Sequence, residues 1–251
     1  MFSNLKEENF YDKKQKGLPA MPINGFNKTT LLDYPGKIAS TIFLGGCNFR
    51  CPFCQNSSLV LSPKAQPVIS ADEVLSVLKK RQGILEGVCI TGGEPTLDKE
   101  LFLFIDKIKE LGYPIKLDTN GSHPWILKKL VKNQMIDMVA MDIKSSKESY
   151  KKVSGCKNLD LSAICESVDF LLSGVIPYEF RTTVVRELHS ASDFVSIGQW
   201  LAGCQAYFLQ AYRDSPDVIH PGYTSYTRTE LEQFQKILLQ TISSVSIRGI
   251  D

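Results

Sequence analysis

Residues 45 to 56 read Gly-Gly-Cys-Asn-Phe-Arg-Cys-Pro-Phe-Cys-Gln-Asn and put three cysteines, Cys47, Cys51 and Cys54, into one short loop. The loop follows the apolar run Ile38 to Leu44, which reads as a buried strand. A chain that delivers three thiols from the C-terminal end of a buried strand resembles a parallel barrel, whose βα loops carry the chemistry. Four cysteine thiolates saturate a [4Fe-4S] cube. A Cys-x3-Cys-x2-Cys loop offers three, which leaves one iron open to a small molecule.

Other uses of the three thiols fit less well. A structural zinc site needs four closed ligands, usually as two spaced pairs, and no second Cys-x2-Cys or His pair lies downstream. Seven cysteines is an odd number, and three of them are too close together to staple distant segments. An electron-transfer ferredoxin wants four cysteines and usually a much shorter chain.

At 251 residues the chain suits one large α/β domain. A hydrophobic content of 43% with 22% charged residues is that of a globular protein with a sizeable core. The formal net charge of +2 and the absence of a long basic run give no reason to expect nucleic acid. No apolar stretch approaches the length needed to span a bilayer. The polar start lacks the apolar core of a signal peptide, so a cytoplasmic location without membrane contact is expected. Residues 1–20 are rich in Lys, Glu and Asp and are expected to form a flexible arm. Residues 21–251 are expected to form the single domain.

Order is expected from Ile23, with Pro35-Gly36 marking a turn before the first buried strand. A capping box, Ser70-Ala71-Asp72-Glu73, opens a helix with Ala71, Val74, Leu75 and Leu78 on one face. Strand Gly87 to Thr91 and a helix bearing Leu101, Phe104, Ile105 and Ile108 come next, and Asp98 is expected to cap that helix. The alternation continues with strand Pro114 to Thr119, helix Pro124 to Val131, strand Met138 to Ile143, helix Leu161 to Leu172, strand Glu179 to Val185, helix Asp193 to Leu201 and strand Ala206 to Gln210. Six βα units predict an α/β fold, an incomplete parallel (β/α)6 TIM-like barrel. A helix near Thr229 to Leu239 and a strand near Ser244 to Ile247 close it.

Polar motifs recur at the strand ends: Gly92-Gly93-Glu94-Pro95, Asp118-Thr119-Asn120-Gly121, Met141-Asp142-Ile143-Lys144, Arg181-Thr182-Thr183-Val184 and Gln210-Ala211-Tyr212-Arg213. Each alone is compatible with a tight turn or loop capping. Following the cysteine loop at successive strand ends, they resemble the radical S-adenosylmethionine (radical SAM) enzymes. The resemblance implies one [4Fe-4S] cluster on Cys47, Cys51 and Cys54, with SAM on its open iron. It places Phe53 beside the adenine and Asn56 on the SAM side of the loop. Gly92, Gly93 and Glu94 take the methionine amino group, Asp118 contacts SAM, and Lys144 meets its carboxylate. Thr183 and Arg213 border the far side of the pocket. Asp118, Thr119 and Asp142 are suited to a monovalent cation, because hard oxygen ligands favour such ions. Gln55 and Arg213 stand where related enzymes carry His. Cys89, Cys156, Cys165 and Cys204 are scattered, whereas a second cluster would need about four gathered thiolates. His123, His189 and His220 read as surface or loop residues.

The opening Gly25-Phe26-Asn27-Lys28-Thr29-Thr30-Leu31-Leu32-Asp33-Tyr34-Pro35-Gly36 resembles the longer variety of glycyl-radical-enzyme activating proteins, those that serve anaerobic ribonucleoside-triphosphate reductase. That implies reductive cleavage of SAM to a 5′-deoxyadenosyl radical, which takes hydrogen from a backbone glycine of a partner enzyme. The first candidate partner is anaerobic ribonucleotide reductase, with a flavodoxin or ferredoxin-type electron donor. Asp33 would touch the partner's glycine loop, although Tyr34 replaces the Gly of the related Asp-Gly-Pro-Gly turn. Two other readings stay open at this point. One is a radical SAM enzyme acting on a nucleoside, peptide or small molecule; the other is a non-enzymatic iron–sulfur electron carrier.

Overall fold

In the computed structural model, residues 21–250 are described, and the expected N-terminal arm lies outside them. Eight strands form one sheet in chain order: β1 (Ile23–Thr30), β2 (Ala39–Leu44), β3 (Gly87–Gly92), β4 (Ile115–Thr119), β5 (Met138–Asp142), β6 (Tyr178–Val184), β7 (Tyr207–Ala211) and β8 (Val245–Arg248). Strands β2 to β8 run parallel, and β1 lies antiparallel on β2. Sequential order with helical crossovers curls the sheet as in a barrel. Among the described residues β8 does not pair back to β1, so the barrel is open.

The helices that follow the strands are α1 (Ser57–Leu61), α2 (Ala71–Lys80), α3 (Leu101–Glu110), α4 (Pro124–Lys132), α5 (Tyr150–Ser154), α6 (Leu161–Leu172), α7 (Ala191–Trp200) and α8 (Arg228–Leu238). Their apolar stripes face the sheet. Val74 and Leu78 of α2, Phe104, Ile105 and Ile108 of α3, and Ile164, Val168 and Leu171 of α6 are fully buried in one core with the strand residues Val88, Ile90, Ile115, Leu117 and Val139. Caps set where several of them start. The Ser70 side chain accepts from the Glu73 amide, and Thr227 and Glu230 form a reciprocal capping box on α8. Asp98 does not cap α3 as expected. It accepts from the Glu100 amide two residues on, and Glu100, the α3 N-cap, makes no capping side-chain bond.

Two elements differ from the sequence reading. Ile23–Thr30 is a strand, where only the onset of order was expected; its burial alternates poorly, with three exposed residues in succession. The single turn α5 is too short for helical periodicity to register. Both bear on the site, because β1 covers the outer edge of β2, and α5 packs on the cysteine loop.

Candidate active site at the C-terminal rim

β2 ends at Leu44, and the cysteine loop begins at once on the C-terminal rim. Its shape is set by backbone contacts. The Cys54 amide donates to the Cys51 carbonyl at 3.0 Å, closing a turn around Pro52 and Phe53. The Arg50 amide donates to the Ser154 carbonyl at 2.9 Å, and the Cys51 thiol lies 3.5 Å from the same oxygen. On the far side, the Ile219 and His220 amides donate to the Cys54 and Pro52 carbonyls. Gly155 ends α5 at a φ of 61°, where a β-carbon would strike the Arg50 carbonyl, so α5 meets the loop backbone to backbone.

All three cysteines line one cavity of about 220 Å³, walled by Phe49, Phe53 and Val60 and by the ends of β3 to β6. Burial pushes the Cys47 thiol up to about 11 and the Cys51 thiol up to about 12, with nearby Lys144 pulling the other way. Buried thiols ionise when a bound cation supplies the compensating charge, so three cysteines lining one cavity, with Phe49, Phe53 and Val60 beside them, fit an iron–sulfur cluster. Among the described residues, no three His, Cys, Asp or Glu side chains are grouped to hold a single metal ion.

The glycine pair at the end of β3 is built into the same loop. Gly92 has a φ of 121°. A β-carbon there would strike the Leu44 backbone, and one on Gly93 would strike the Gly46 carbonyl. The Gly93 and Glu94 amides donate to the Leu44 and Gly46 carbonyls, each at 2.8 Å, and the Asn56 amide donates to the Gly92 carbonyl at 3.0 Å. Gly92 and Gly93 line the cavity. Glu94 does not line it, contrary to the expected contact with a ligand amine through its carboxylate. Oε1 accepts from the Thr96 amide and from the Thr96 and Thr119 hydroxyls, and Oε2 accepts from the Asn120 amide at 2.6 Å. The carboxylate thus ties the rim of β3 to that of β4.

Charged side chains alternate across the inner face of β4, β5 and β6. Asp118 pairs with Lys116 at 2.5 Å and Arg181 at 3.0 Å, and Asp142 pairs with Arg181 at 2.7 Å and Lys144 at 3.0 Å. Burial alone would raise both carboxyls, but Arg181, with Lys116 at Asp118 and Lys144 at Asp142, outweighs it and holds them below the usual range. Burial works against the Lys144 ammonium, and Asp142 more than compensates, so its pKa is raised. A monovalent cation was expected at Asp118, Thr119 and Asp142, which all border the cavity. In the structure both carboxylates pair with three cationic side chains, and the Thr119 hydroxyl donates to Glu94.

Phe53, Asn56, Asp118, Thr119, Asp142, Lys144 and Thr183 line the cavity. Besides Glu94, two of the expected residues fall outside it. Arg213 is exposed beyond β7, where its guanidinium reaches the Gly249 carbonyl at 3.5 Å, and it is not part of the lining. Asp33 sits in the β1–β2 connection, at the mouth opposite the cysteines, and accepts from the Thr41 hydroxyl. His189 is not a surface residue: it is buried, its Nδ1 accepts from the Val185 amide, its Nε2 meets the Lys144 carbonyl at 2.8 Å, and its ring lies edge-on to Phe53. Sequence reasoning passed over Lys116 and gave Arg181 no specific role. The signal was there, as charges two residues apart, Lys116 with Asp118 and Asp142 with Lys144, put like faces of buried strands inward.

The chain is similar to known proteins over most of its length. The radical SAM superfamily profile matches residues 41–189. A Methanocaldococcus jannaschii protein named as a glycyl-radical enzyme activating enzyme is 31% identical over 235 residues, covering 91% of this chain and 96% of the relative. A Thermococcus kodakarensis protein named as a GTP 3′,8-cyclase is 29% identical over 144 residues, 57% of this chain and 46% of the relative. Among solved structures, Streptococcus suis SuiB bound to S-adenosylmethionine superposes with a TM-score of 0.64 at 12% identity, over 81% of this chain and 48% of SuiB. A domain of the pyruvate-formate lyase-activating enzyme from Bacteroides vulgatus gives a TM-score of 0.53 at 18% identity, over 65% of this chain and 99% of that domain. These two likenesses are of fold. The profile match and the M. jannaschii relative establish that this chain belongs to the radical SAM superfamily, whose members use a [4Fe-4S] cluster and S-adenosylmethionine.

Proposed function

We propose that this protein activates a glycyl-radical enzyme, taking hydrogen from a backbone glycine of its partner with a radical generated from SAM. One observation carries the site assignment: Cys47, Cys51 and Cys54, the Gly92-Gly93 turn and the ion pairs of Asp118, Asp142 and Lys144 border one cavity on the rim of an open barrel. When bound, the cluster supplies the electron that cleaves SAM to methionine and a 5′-deoxyadenosyl radical.

This chain's own residues do the rest. Cys47, Cys51 and Cys54 would hold the cluster. Gly92 and Gly93 bring bare backbone to the methionine end, and Asn56 fixes the Gly92 carbonyl. Lys144, oriented by Asp142, presents its ammonium to the SAM carboxylate, a charge-assisted contact. Asp118 accepts from SAM hydroxyls or amine, and Phe53 and Thr183 border the adenosyl group. Phe49, Phe53 and Val60 shield the cysteine side of the cavity from water.

The partner assignment rests on the extent of the likeness. Similarity to the cyclase stops at 144 residues, whereas similarity to the activating-enzyme relative runs through 235. An open barrel also leaves room for a loop of a second protein, and we favour anaerobic ribonucleotide reductase. A flavodoxin or ferredoxin-type protein is the matching electron donor. The exposed Lys151 and Lys152 on α5, whose Ser154 carbonyl touches Cys51, suit an acidic carrier.

The test is anaerobic co-incubation of the reduced, cluster-loaded protein with SAM and anaerobic ribonucleotide reductase. A doublet glycyl radical signal on the partner, absent with Cys51→Ala, is expected. Turnover of a small molecule without any partner would contradict the assignment.

A further inference from the structure

Lys116 is 1% exposed, inside the sheet and below the cavity. Lysine is almost never buried unless paired, because removing its ammonium from water is costly. Its position explains the partner. On β4 it points the same way as Asp118, and its ammonium meets Asp118 Oδ1 at 2.5 Å. The other carboxylate oxygen, Oδ2, takes Arg181 from β6 at 3.0 Å. That reach across β5 is open because the strand residue beside Asp118 is Ala140, which is no larger than a methyl group. Among the described residues, Asp118 Oδ1 otherwise meets the Cys89 thiol at 3.6 Å, and a thiol is a weak donor.

We propose that Lys116 is a built-in counter-cation: its ammonium takes the place beside Asp118 that a free alkali ion would otherwise fill, so SAM binding needs no monovalent cation. The inference rests on the SAM site proposed above and not on the identity of the partner. Two carboxylates, Asp118 and Asp142, stand against three cations, Lys116, Arg181 and Lys144, so the formal charge of the group is +1. Without Lys116 the group is neutral, Oδ1 keeps only the thiol, and a hole the size of an ammonium opens beside a carboxylate. A hard oxygen facing such a hole suits an alkali ion. Lys116 acts through Asp118 and is a positioning residue.

The experiment measures SAM binding to the cluster-loaded protein by equilibrium dialysis, in potassium, sodium and choline chloride at equal ionic strength. The wild-type protein should bind SAM equally in all three salts. Lys116→Met should bind about tenfold more weakly in choline, the scale of one lost contact to a charged group, and recover in part in potassium or sodium. The melting temperature of Lys116→Met before cluster loading should also rise more with potassium than with choline, while that of the wild type should not. Loss of SAM affinity by the wild type in choline overturns the inference, as does a Lys116→Met protein whose affinity and melting temperature ignore the salt. If Lys116→Met fails to fold, the wild-type salt comparison decides alone. A wild-type protein that binds no SAM in any salt would overturn the SAM-site reading itself, a distinct result.

Discussion

The Asn56 side-chain amide donates to the Gly92 carbonyl at 3.0 Å, so the loop that carries the cysteines and the glycine turn of β3 are one structural unit. Gly93 makes the unit tighter, because its α-carbon lies against the Gly46 carbonyl one residue before Cys47. A methyl group at Gly93 meets backbone there, which cannot rotate away. Gly93→Ala should destabilise the fold by about 1–3 kcal/mol and reduce iron incorporation several-fold. Asn56→Ala, which removes one hydrogen bond, should cost about 1 kcal/mol and keep most of its iron. Thermal melts and iron analysis of the two variants check the order.

Cys51 is the most enclosed of the three loop cysteines, and Cys165 on α6 lies outside the cavity. Cys51→Ala should therefore lose the charge-transfer absorption of the reconstituted cluster. Cys165→Ser should reconstitute like the wild type. Equal loss in both variants would mean that the cluster is held elsewhere.

How far the site could be read from the sequence depends on what each residue needs to be recognised. The cysteine loop was legible because its spacing is local. The strands β2 to β7 were legible because their apolar runs end in polar motifs. Glu94 was misplaced because a carboxylate after two glycines serves equally well as ligand or as clamp, and only its bonds to Thr96, Thr119 and Asn120 decide. The Asp118–Arg181–Asp142 chain joins residues up to 63 positions apart, so local pattern could not reveal it. β1 was hidden because its polar, edge-facing residues carry almost no period-two signal.

Among the carboxylates of the described residues, Asp142 alone pairs with Lys144, at 3.0 Å. Lys144→Met should leave the cluster intact and weaken SAM binding by roughly 10- to 100-fold, the range expected when a contact worth about 1.5–3 kcal/mol is lost. Dialysis against labelled SAM, paired with iron analysis, separates this from a general loss of structure.

Burial pushes the His189 imidazole below its ordinary value, against the opposing pull of its bonds to Lys144 and Val185. The folded protein thus disfavours the charged ring. The stability this contributes is fully present above the unfolded value, near 6.5, and is lost as pH falls from there toward the depressed folded value. Denaturant midpoints should drop between about pH 7.5 and about pH 5.5 in the wild type. His189→Gln should show a smaller drop across the same window.

The central claim is that the cysteine loop and the rim of β3 to β6 form one pocket in which SAM meets a cluster iron. Electron paramagnetic resonance of the reduced, cluster-loaded protein tests it most directly. Adding SAM should change the g-values of the cluster signal in the wild type, and Lys144→Met should need more SAM to produce the same change. A spectrum that ignores saturating SAM would contradict the account and leave the protein an electron carrier.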